Sequence, residues 1–161
     1  MADTEGITDQ YKNAFSFEII ITGYTDGSGI NQAFTRCSGI VSNSEAMEYM
    51  HGTDPYVRKN PGRVTFEDVT LERVYNGLDD FYIWRQEIER GGSEKHDVQI
   101  YMKDRAKNVV RHMTLVQAWP IRWELPELDA SGSGPATERI TLSIENVTHV
   151  DLESENSIGG Y

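Results

Sequence analysis

Apolar and polar residues alternate with a period of two over several stretches of the chain, which is the pattern of half-buried β-strands. The alternation is clearest over 15–21, 98–102 and 140–144, where Phe, Ile, Val, Leu and Met occupy every second position. The glycine-rich stretch 23–29 favours positive backbone φ angles and predicts a reversal into a second strand over 32–38. We therefore expect a mostly β fold whose first two strands pair as a hairpin.

Two of the predicted strands carry irregularities. The apolar positions over 63–73 change parity at Glu67 and Asp68, so we expect one strand with a bulge at these two residues. Pro120 removes a ladder donor from the extended stretch around it, which indicates a sheet edge or a bulge. The turn residues over 104–108 predict a second hairpin between the strands that flank them.

Residues 78–90 have the helical period instead. Asn76 can cap this helix, acidic residues occupy its first turn, and Gly91 with Gly92 ends it. Its apolar residues recur at spacings of three and four, so they form one stripe that would pack on a sheet as the core face of the helix. The stripe consists of Leu78, Phe81, Trp84 and Ile88.

The segment 40–50 leaves neither face continuously apolar, whether it is read as a strand or as a helix. The following residues, 51–62, contain two prolines, two glycines and three charged residues, which is typical of a long exposed loop. A strand that is polar on both faces gains little from its own core, whereas neighbouring subunits can pair with it. Since a closed ring of subunits would supply such neighbours, the sequence favours assembly.

The length and charge of the chain exclude several classes of protein. Its 161 residues fit one compact domain, and 26 acidic against 15 basic residues give a net charge of −11, which disfavours nucleic-acid binding by the whole surface. The longest apolar run is too short to span a membrane, and residues 1–13 lack the features of a secretory signal. Cys37 is the only cysteine and cannot close an intrachain disulfide, so the chain fits a reducing compartment.

No pattern of catalytic residues stands out in the sequence. The four histidines are isolated, without the helical pairing or the cysteine and histidine clustering of a zinc site. Cys37 has no histidine near it in sequence, and no phosphate-binding glycine motif is present. We therefore expect no enzyme activity, no metal and no cofactor. The alternative from a different class is a monomeric ligand-binding β-barrel, or a small hydrolase that uses a pocket carboxylate such as Glu67.

Several short stretches occur in the order in which one protein family has them. They include FEIIITG at 17–23, RKNPG at 58–62, VTLER at 69–73, FYIW at 81–84 and WPIRW at 119–123. On these residues the chain resembles the tail tube proteins of contractile phages and of the related contractile injection systems.

The resemblance implies a small β-barrel of two packed antiparallel sheets, with one flanking α-helix and an extended β-hairpin for oligomerisation. The resemblance covers the barrel domain over 15–150, and we expect an N-terminal arm over 1–14 before it and, from its composition, an acidic C-terminal tail over 151–161 after it. Hexameric rings would stack into a rigid inner tube that conducts DNA or protein through a contractile sheath. A specialised first ring that joins the tube to the baseplate is the alternative.

The implied partners are further copies of the chain, the sheath protein, baseplate and tube-terminator proteins, and cargo in the lumen, with no membrane insertion by this chain. The polar face of the helix over 78–90 would be available to the sheath. Assembly would take place in the bacterial cytoplasm, and the product would be part of a phage virion or an injection particle.

Carried onto this sequence, the resemblance also implies roles for individual residues. The loop over 51–62 would reach the adjacent ring through Asp54, Pro55, Arg58, Lys59 and Pro61. The segment 42–50 and the strand 63–73 would form the extended hairpin that joins neighbours and lines the lumen. The residues assigned to this hairpin are Glu45, Met47, Tyr49, Thr65, Glu67 and Thr70.

Overall fold

The computed structural model describes residues 16–22, 34–125, 130–132 and 134–150. The expected reversal over 23–29, the N-terminal arm over 1–14 and the acidic tail over 151–161 lie outside these ranges. No helix in the described ranges is both long and apolar enough to cross a membrane.

Nine strands and one helix occur in the described part of the chain. In chain order they are β1 (Ser16–Ile21), β2 (Phe34–Ser38), β3 (Ser42–Tyr49), β4 (Arg58–Phe66), β5 (Val69–Val74), α1 (Asp80–Glu89), β6 (His96–Lys103), β7 (Val109–Glu124), β8 (Thr137–Ser143) and β9 (Asn146–Val150). The strands expected over 15–21, 98–102 and 140–144 correspond to β1, β6 and β8 and are confirmed.

Seven strands form one antiparallel sheet in the order β1-β6-β7-β8-β5-β2, with β9 also paired to β7. The long strand β7 belongs to both halves of this sheet, because its first part pairs with β6 and β9 and its last part, from Trp119, pairs with β8. Gln117, just before that change of partner, has a φ of +55°, an uncommon conformation for a residue with a side chain. The sheet therefore divides at this point into two halves.

The core lies between these two halves and α1. Aliphatic side chains at alternate positions of β1, β5, β6 and β8 are buried, β7 contributes Leu115 and Ala118, and α1 contributes Phe81 and Trp84. The expected mostly β fold of two antiparallel sheets with one flanking helix is thus confirmed. Among the described strand pairs, β1 and β2 are not hydrogen-bonded to each other, so the barrel is open between them.

The expected hairpin between the first two strands is wrong. β1 pairs with β6, with Ile19 opposite Ile100, whereas β2 pairs with β5, with Cys37 opposite Leu71. The alternation of β1 shows that one face of this strand is buried, but not which strand lies beside it. In the structure the neighbouring apolar residues belong to β6 and not to β2, the next strand along the chain.

The strand expected over 63–73 is in fact two strands in different sheets. The chain does change at Glu67 and Asp68, but these residues carry it from β4 into β5 rather than forming a bulge within one strand. The exposed loop expected over 51–62 is also shorter, because β4 already begins at Arg58. Pro61 is tolerated in β4 because it pairs opposite Ala46 in a two-stranded sheet, beside a shift in register.

Two other local predictions are confirmed. The second hairpin joins β6 to β7, and the backbone N–H of Asn108 donates to Asp104 Oδ1 at 2.9 Å within its turn. The irregularity expected at Pro120 is present as a shift in the register of β7 against β8 between Pro120 and Arg122.

Helix α1 runs from Asp80 to Glu89, two residues later than expected at its start. The side chain of Asn76 caps the preceding turn instead, since its Oδ1 accepts the N–H of Leu78 at 3.1 Å. Of the expected core stripe, Phe81 and Trp84 are buried and Ile88 is half-buried. Leu78 is the exception: it precedes the helix and is 39% exposed, so its assignment to the core was wrong.

A buried ion cluster attaches α1 to the sheet. Arg73 on β5 donates from Nε to Glu138 Oε2 on β8 at 2.8 Å and from Nη1 to Asp80 Oδ2 at 3.1 Å. Its guanidinium also stacks 3.8 Å from the centre of the Phe81 ring. The second carboxylate oxygen of Glu138 accepts from Trp123 Nε1 at 2.7 Å. This cluster fixes the first turn of α1 against the C-terminal end of β5.

Candidate assembly surfaces

Strands β3 and β4 form a separate two-stranded sheet, which we call the extended hairpin (residues 42–66). Every residue of β3 is exposed, and β4 is exposed except at Gly62 and Phe66, which are half-buried. The extended hairpin therefore has almost no core of its own in the single chain. Two-stranded ribbons of this kind are marginally stable in isolation, so partners would stabilise it.

Two short connections, over 39–41 and 67–68, join the extended hairpin to the β2–β5 pair. Gly39, which follows β2, has a φ of +92°, and a β-carbon there would lie 2.3 Å from the carbonyl oxygen of Asp68. The N–H of Glu67 donates to the carbonyl of Val41 at 3.1 Å, and Asn43 Nδ2 donates to Glu67 Oε1 at 2.9 Å. These contacts set the direction in which the hairpin leaves the barrel.

The register of the extended hairpin places most of its assigned residues on one face. Tyr49 pairs opposite Arg58, Met47 opposite Asn60 and Asn43 opposite Thr65. Because successive side chains point to opposite faces, Met47, Tyr49 and Thr65 share a face, and Glu67 contacts that face through Asn43. Glu45 lies at the shift in register between Ser44 and Ala46.

The assignment of Thr70 to this hairpin is wrong. Thr70 lies on β5 in the main sheet, where its Oγ1 is 3.4 Å from Oγ1 of Thr141 on β8. The error follows from treating 63–73 as one strand, because the break at Glu67 and Asp68 places Thr70 in another sheet.

The residues expected to form the inter-ring loop divide between two elements. Asp54 and Pro55 lie in the turn at the tip of the extended hairpin, whereas Arg58, Lys59 and Pro61 belong to β4. Their charges have partners within the chain: Arg58 Nε lies 2.5 Å from Asp54 Oδ2, and Lys59 Nζ lies 3.2 Å from Glu48 Oε1. Since both pairs are solvent-exposed, each contributes little and can be exchanged for partners on another chain.

Large apolar side chains are concentrated on the extended hairpin and its tip. Tyr56 is 77% exposed and Met50 is 73% exposed, and four further members have between 43% and 60% of their surface exposed. These four are Met47, Tyr49, Val57 and Val64. Met47 and Tyr49 lie on one face of the hairpin, whereas Val64, which pairs opposite Ser44, lies on the other face. Exposed apolar residues that gather on one element mark an interaction surface.

The four strands β2, β5, β8 and β7 carry a polar face that sequence reasoning missed. One row across these strands alternates in charge, with Arg36 opposite Glu72, Glu72 opposite Arg139 and Arg139 opposite Glu124. Arg139 lies 3.4 Å from Glu72 and 3.3 Å from Glu124. This charged row lines a concave region of about 430 Å³, together with Ser38, Thr70, Arg122 and Thr141. The alternation over 139–144 shows that every second residue there is polar. It does not show which residues of other strands lie opposite them, because those pairs join residues that are far apart in the sequence.

The geometry gives little support to the metal site, the cysteine nucleophile and the pocket carboxylate that were considered from the sequence. In the part of the chain that the structure describes, no three His, Cys, Asp or Glu residues come together as a metal site. Burial raises the pKa of the Cys37 thiol to about 11, which disfavours the thiolate that a nucleophile requires. Glu67 is exposed and accepts a hydrogen bond from Asn43, and it does not line the concave region beside the charged row.

The fold is that of an open β-barrel with one flanking helix and an exposed two-stranded hairpin. Residues 12–148 match the family model described as T4-like virus tail tube protein gp19. The chain belongs to this tail tube family. The match covers most of the chain, from just before β1 into β9.

Solved structures with the same fold come from contractile injection systems. A chain in the cryo-EM structure of the anti-feeding prophage cap is 29% identical with a TM-score of 0.74, over 93% of this chain and 99% of that one. A chain of the PVC sheath–tube complex is 22% identical with a TM-score of 0.75, over 94% and 100%. Hcp1 from Flavobacterium johnsoniae is 13% identical with a TM-score of 0.54, over 84% and 94%. Among curated proteins, none matches the chain.

Proposed function

We propose that this chain is the repeating subunit of the inner tube of a contractile tail or injection particle, in which hexameric rings stack into a rigid channel. The observation that carries this proposal is the extended hairpin, whose β3 strand is exposed at every residue. A second copy that covers the hairpin would supply the packing that it lacks in the single chain. Membership in the tail tube family supports the same conclusion.

Within a ring, the extended hairpin joins neighbouring subunits. Its two strands pair only with each other in the described residues, so each leaves one edge of backbone N–H and carbonyl groups free. Adding these edges to the sheet of the next subunit satisfies the free groups and removes the exposed edges. The face that carries Met47, Tyr49 and Thr65 would be covered or would line the lumen according to the tilt of the hairpin.

The polar face of β2, β5, β8 and β7 is the wall of the channel. Its row of Arg36, Glu72, Arg139 and Glu124 balances positive against negative charge within one subunit. With Arg122 on the same face, the wall has three arginines against two glutamates, so it offers no apolar patch and carries only a small excess of positive charge. DNA and protein are both compatible with such a wall.

The remaining partners follow from the position of the tube in the particle. The exposed polar face of α1 is available to a sheath protein, and the two ends of the stack contact baseplate and terminator proteins. Assembly takes place in the bacterial cytoplasm, which agrees with a fold whose one cysteine has no disulfide partner.

A second candidate function is a specialised ring at one end of the tube. A chain in the anti-feeding prophage cap structure, which is described as a tube terminating cap, is among the similar solved structures, so this candidate is tested beside the first. A subunit of an end ring would form rings that do not stack on copies of themselves.

Negative-stain electron microscopy of the concentrated, purified chain tests the proposal. Stacked tubes seen from the side, together with ring-shaped views along the axis, are the expected result. Single rings that do not stack would favour the end-ring candidate. A chain that stays monomeric at all concentrations, and on addition of preformed tube ends, would overturn the proposal and favour a monomeric ligand-binding barrel.

A further inference from the structure

The turn between β5 and α1 contains an Asn-Gly dipeptide, and both of its residues, Asn76 and Gly77, are exposed. On one side of the turn Arg73 ends the buried part of β5, and on the other side its guanidinium binds Asp80 at the start of α1. The dipeptide therefore lies in solvent between two points that the buried ion cluster holds in place. Asparagine is chemically labile in such exposed positions.

The side-chain amide of Asn76 is open to attack at its carbonyl carbon, Cγ. Its Oδ1 accepts the N–H of Leu78 at 3.1 Å, which keeps the side chain against the following peptides and draws electrons away from Cγ. Among the described residues, none accepts a hydrogen bond from Nδ2 of Asn76. This nitrogen can therefore leave as ammonia without breaking a hydrogen bond to the protein.

The backbone nitrogen of Gly77 is the nearest nucleophile along the chain. Its N–H has no acceptor in the described ranges, so no protein hydrogen bond must break before the nitrogen loses its proton. Gly77 has a φ of +85°, and a β-carbon there would meet no atom within 4 Å. Because glycine also has no side chain of its own, the nitrogen is accessible to solvent.

The other asparagines in the described part of the chain lack this combination. Asn60 precedes Pro61, whose nitrogen carries no proton. Asn43 uses its Nδ2 to donate to Glu67 Oε1 at 2.9 Å. Two more precede a valine, whose branched side chain shields the backbone nitrogen, and these are Asn108 and Asn146.

We propose that Asn76 is a modification site at which water deamidates the folded chain without an enzyme. The nitrogen of Gly77 loses its proton and bonds to Cγ of Asn76, while the Cγ–Nδ2 bond breaks and the amide leaves as ammonia after taking up a proton. Water then opens the resulting succinimide ring at either carbonyl, which gives aspartate or isoaspartate at position 76. Both steps need water alone and neither depends on tube assembly.

Isoaspartate at this position would loosen the attachment of α1. It adds one carbon atom to the main chain of a turn whose ends are fixed, because the N–H of Tyr75 donates to the carbonyl of Ala136 at 2.8 Å and Arg73 binds Asp80. The added length must displace Leu78, whose carbonyl accepts from Arg73 Nη2 at 3.5 Å. Aspartate keeps an oxygen for the N–H of Leu78 and adds a negative charge near the N-terminus of the helix, so it should be tolerated.

Peptide mapping by mass spectrometry tests the modification. The purified full chain is incubated in mildly alkaline buffer and digested at intervals at acidic pH, where further deamidation is slow. Asn108 serves as the control within the same digests, since it is an exposed asparagine in another turn. We expect conversion at Asn76 to be at least about tenfold faster than at Asn108, with both aspartate and isoaspartate among the products. Equal rates at the two positions would overturn the proposal.

The unfolded chain separates the effect of the fold from that of the dipeptide. A site that reacts only after local opening is slowed in proportion to the population of the open form. Because the structure leaves Asn76 and Gly77 unhindered, we expect the rate at Asn76 in the folded chain to stay within about fivefold of its rate in urea. A larger reduction would overturn the proposal, because the turn would then protect the amide.

The variant Asn76→Ser tests the consequence for α1. Serine retains an oxygen that can accept the N–H of Leu78 but cannot form the succinimide. After equal incubation, the unfolding temperature of the parent chain should fall as isoaspartate accumulates, whereas that of Asn76→Ser should not change. An equal fall in both chains would assign the loss of stability to another site and overturn the effect on α1.

Discussion

Gly39 packs so closely against Asp68 that a β-carbon on Gly39 would lie 2.3 Å from the Asp68 carbonyl oxygen. The same glycine has a φ of +92°, a conformation that residues with a β-carbon rarely adopt. At this contact the β2–β5 pair gives way to the extended hairpin. One backbone contact therefore connects the rigid barrel to the element that we propose to hold the ring together.

The substitution Gly39→Ala should redirect the extended hairpin and prevent assembly. The added methyl group must displace the chain at Asp68 and strain the backbone, which we expect to cost about 1–3 kcal/mol of folding free energy. The fold should survive this loss, whereas tube formation should fail because the hairpin no longer meets its neighbour at the required angle. Urea denaturation measures the first effect and sedimentation the second.

Gly134 offers a matched control for this substitution. It lies outside the extended hairpin, and a β-carbon there would meet no atom within 4 Å. Gly134→Ala should therefore change neither stability nor assembly. If Gly39→Ala forms tubes as readily as Gly134→Ala, the Gly39–Asp68 contact does not direct the hairpin.

The position of this bend could be predicted from the sequence only in part. The change of parity at Glu67 and Asp68 was visible, but a period of two cannot distinguish a bulge from a passage between two sheets, since both invert the buried face. The beginning of β4 at Arg58 was hidden by Pro61, which usually indicates a loop. Proline is acceptable there because β4 has one partner strand only.

The strand partners and the charged row could not be predicted from the sequence. The alternation of β1 and β8 reveals which side chains are buried, and those strands were predicted correctly. The pairing of β1 with β6, and the alignment of Arg36, Glu72, Arg139 and Glu124, depend on contacts between distant parts of the chain. In contrast, the sequence did indicate that segment 42–50 requires a neighbouring subunit, because both faces of this segment are polar.

Shortening the tip of the extended hairpin should separate folding from assembly. Tyr49 and Arg58 form the last pair of the hairpin, so Asn-Gly in place of residues 50–57 would close it with a two-residue turn. The shortened chain should unfold at the same temperature as the parent, because the tip makes no contribution to the core. Stacked tubes should disappear from electron micrographs, while long tubes formed by this variant would show that the tip is not needed between rings.

Trp84→Ala should destabilise the barrel strongly. Trp84 is fully buried, and its ring makes an edge contact with His96 at a centroid distance of 5.4 Å. Removing the indole leaves a large cavity between α1 and the sheet, at an expected cost of about 3–5 kcal/mol. Chemical denaturation of the monomer provides the measurement, and Glu89→Ala on the exposed face of α1 should stay within about 0.5 kcal/mol of the parent. A Trp84→Ala chain of parental stability would mean that α1 does not pack as described.

Substitutions at Arg73 and Glu138 should be strongly non-additive. Both side chains are 1% exposed, and Arg73 Nε donates to Glu138 Oε2 at 2.8 Å. Arg73→Met leaves the carboxylate of Glu138 buried without its cation, which we expect to cost about 3–5 kcal/mol. The double variant Arg73→Met, Glu138→Met removes both charges and should recover much of that loss, although Asp80 and Trp123 Nε1 also lose a partner. A double-mutant cycle by urea denaturation measures the coupling, and a coupling near zero would mean that the two charges do not stabilise each other.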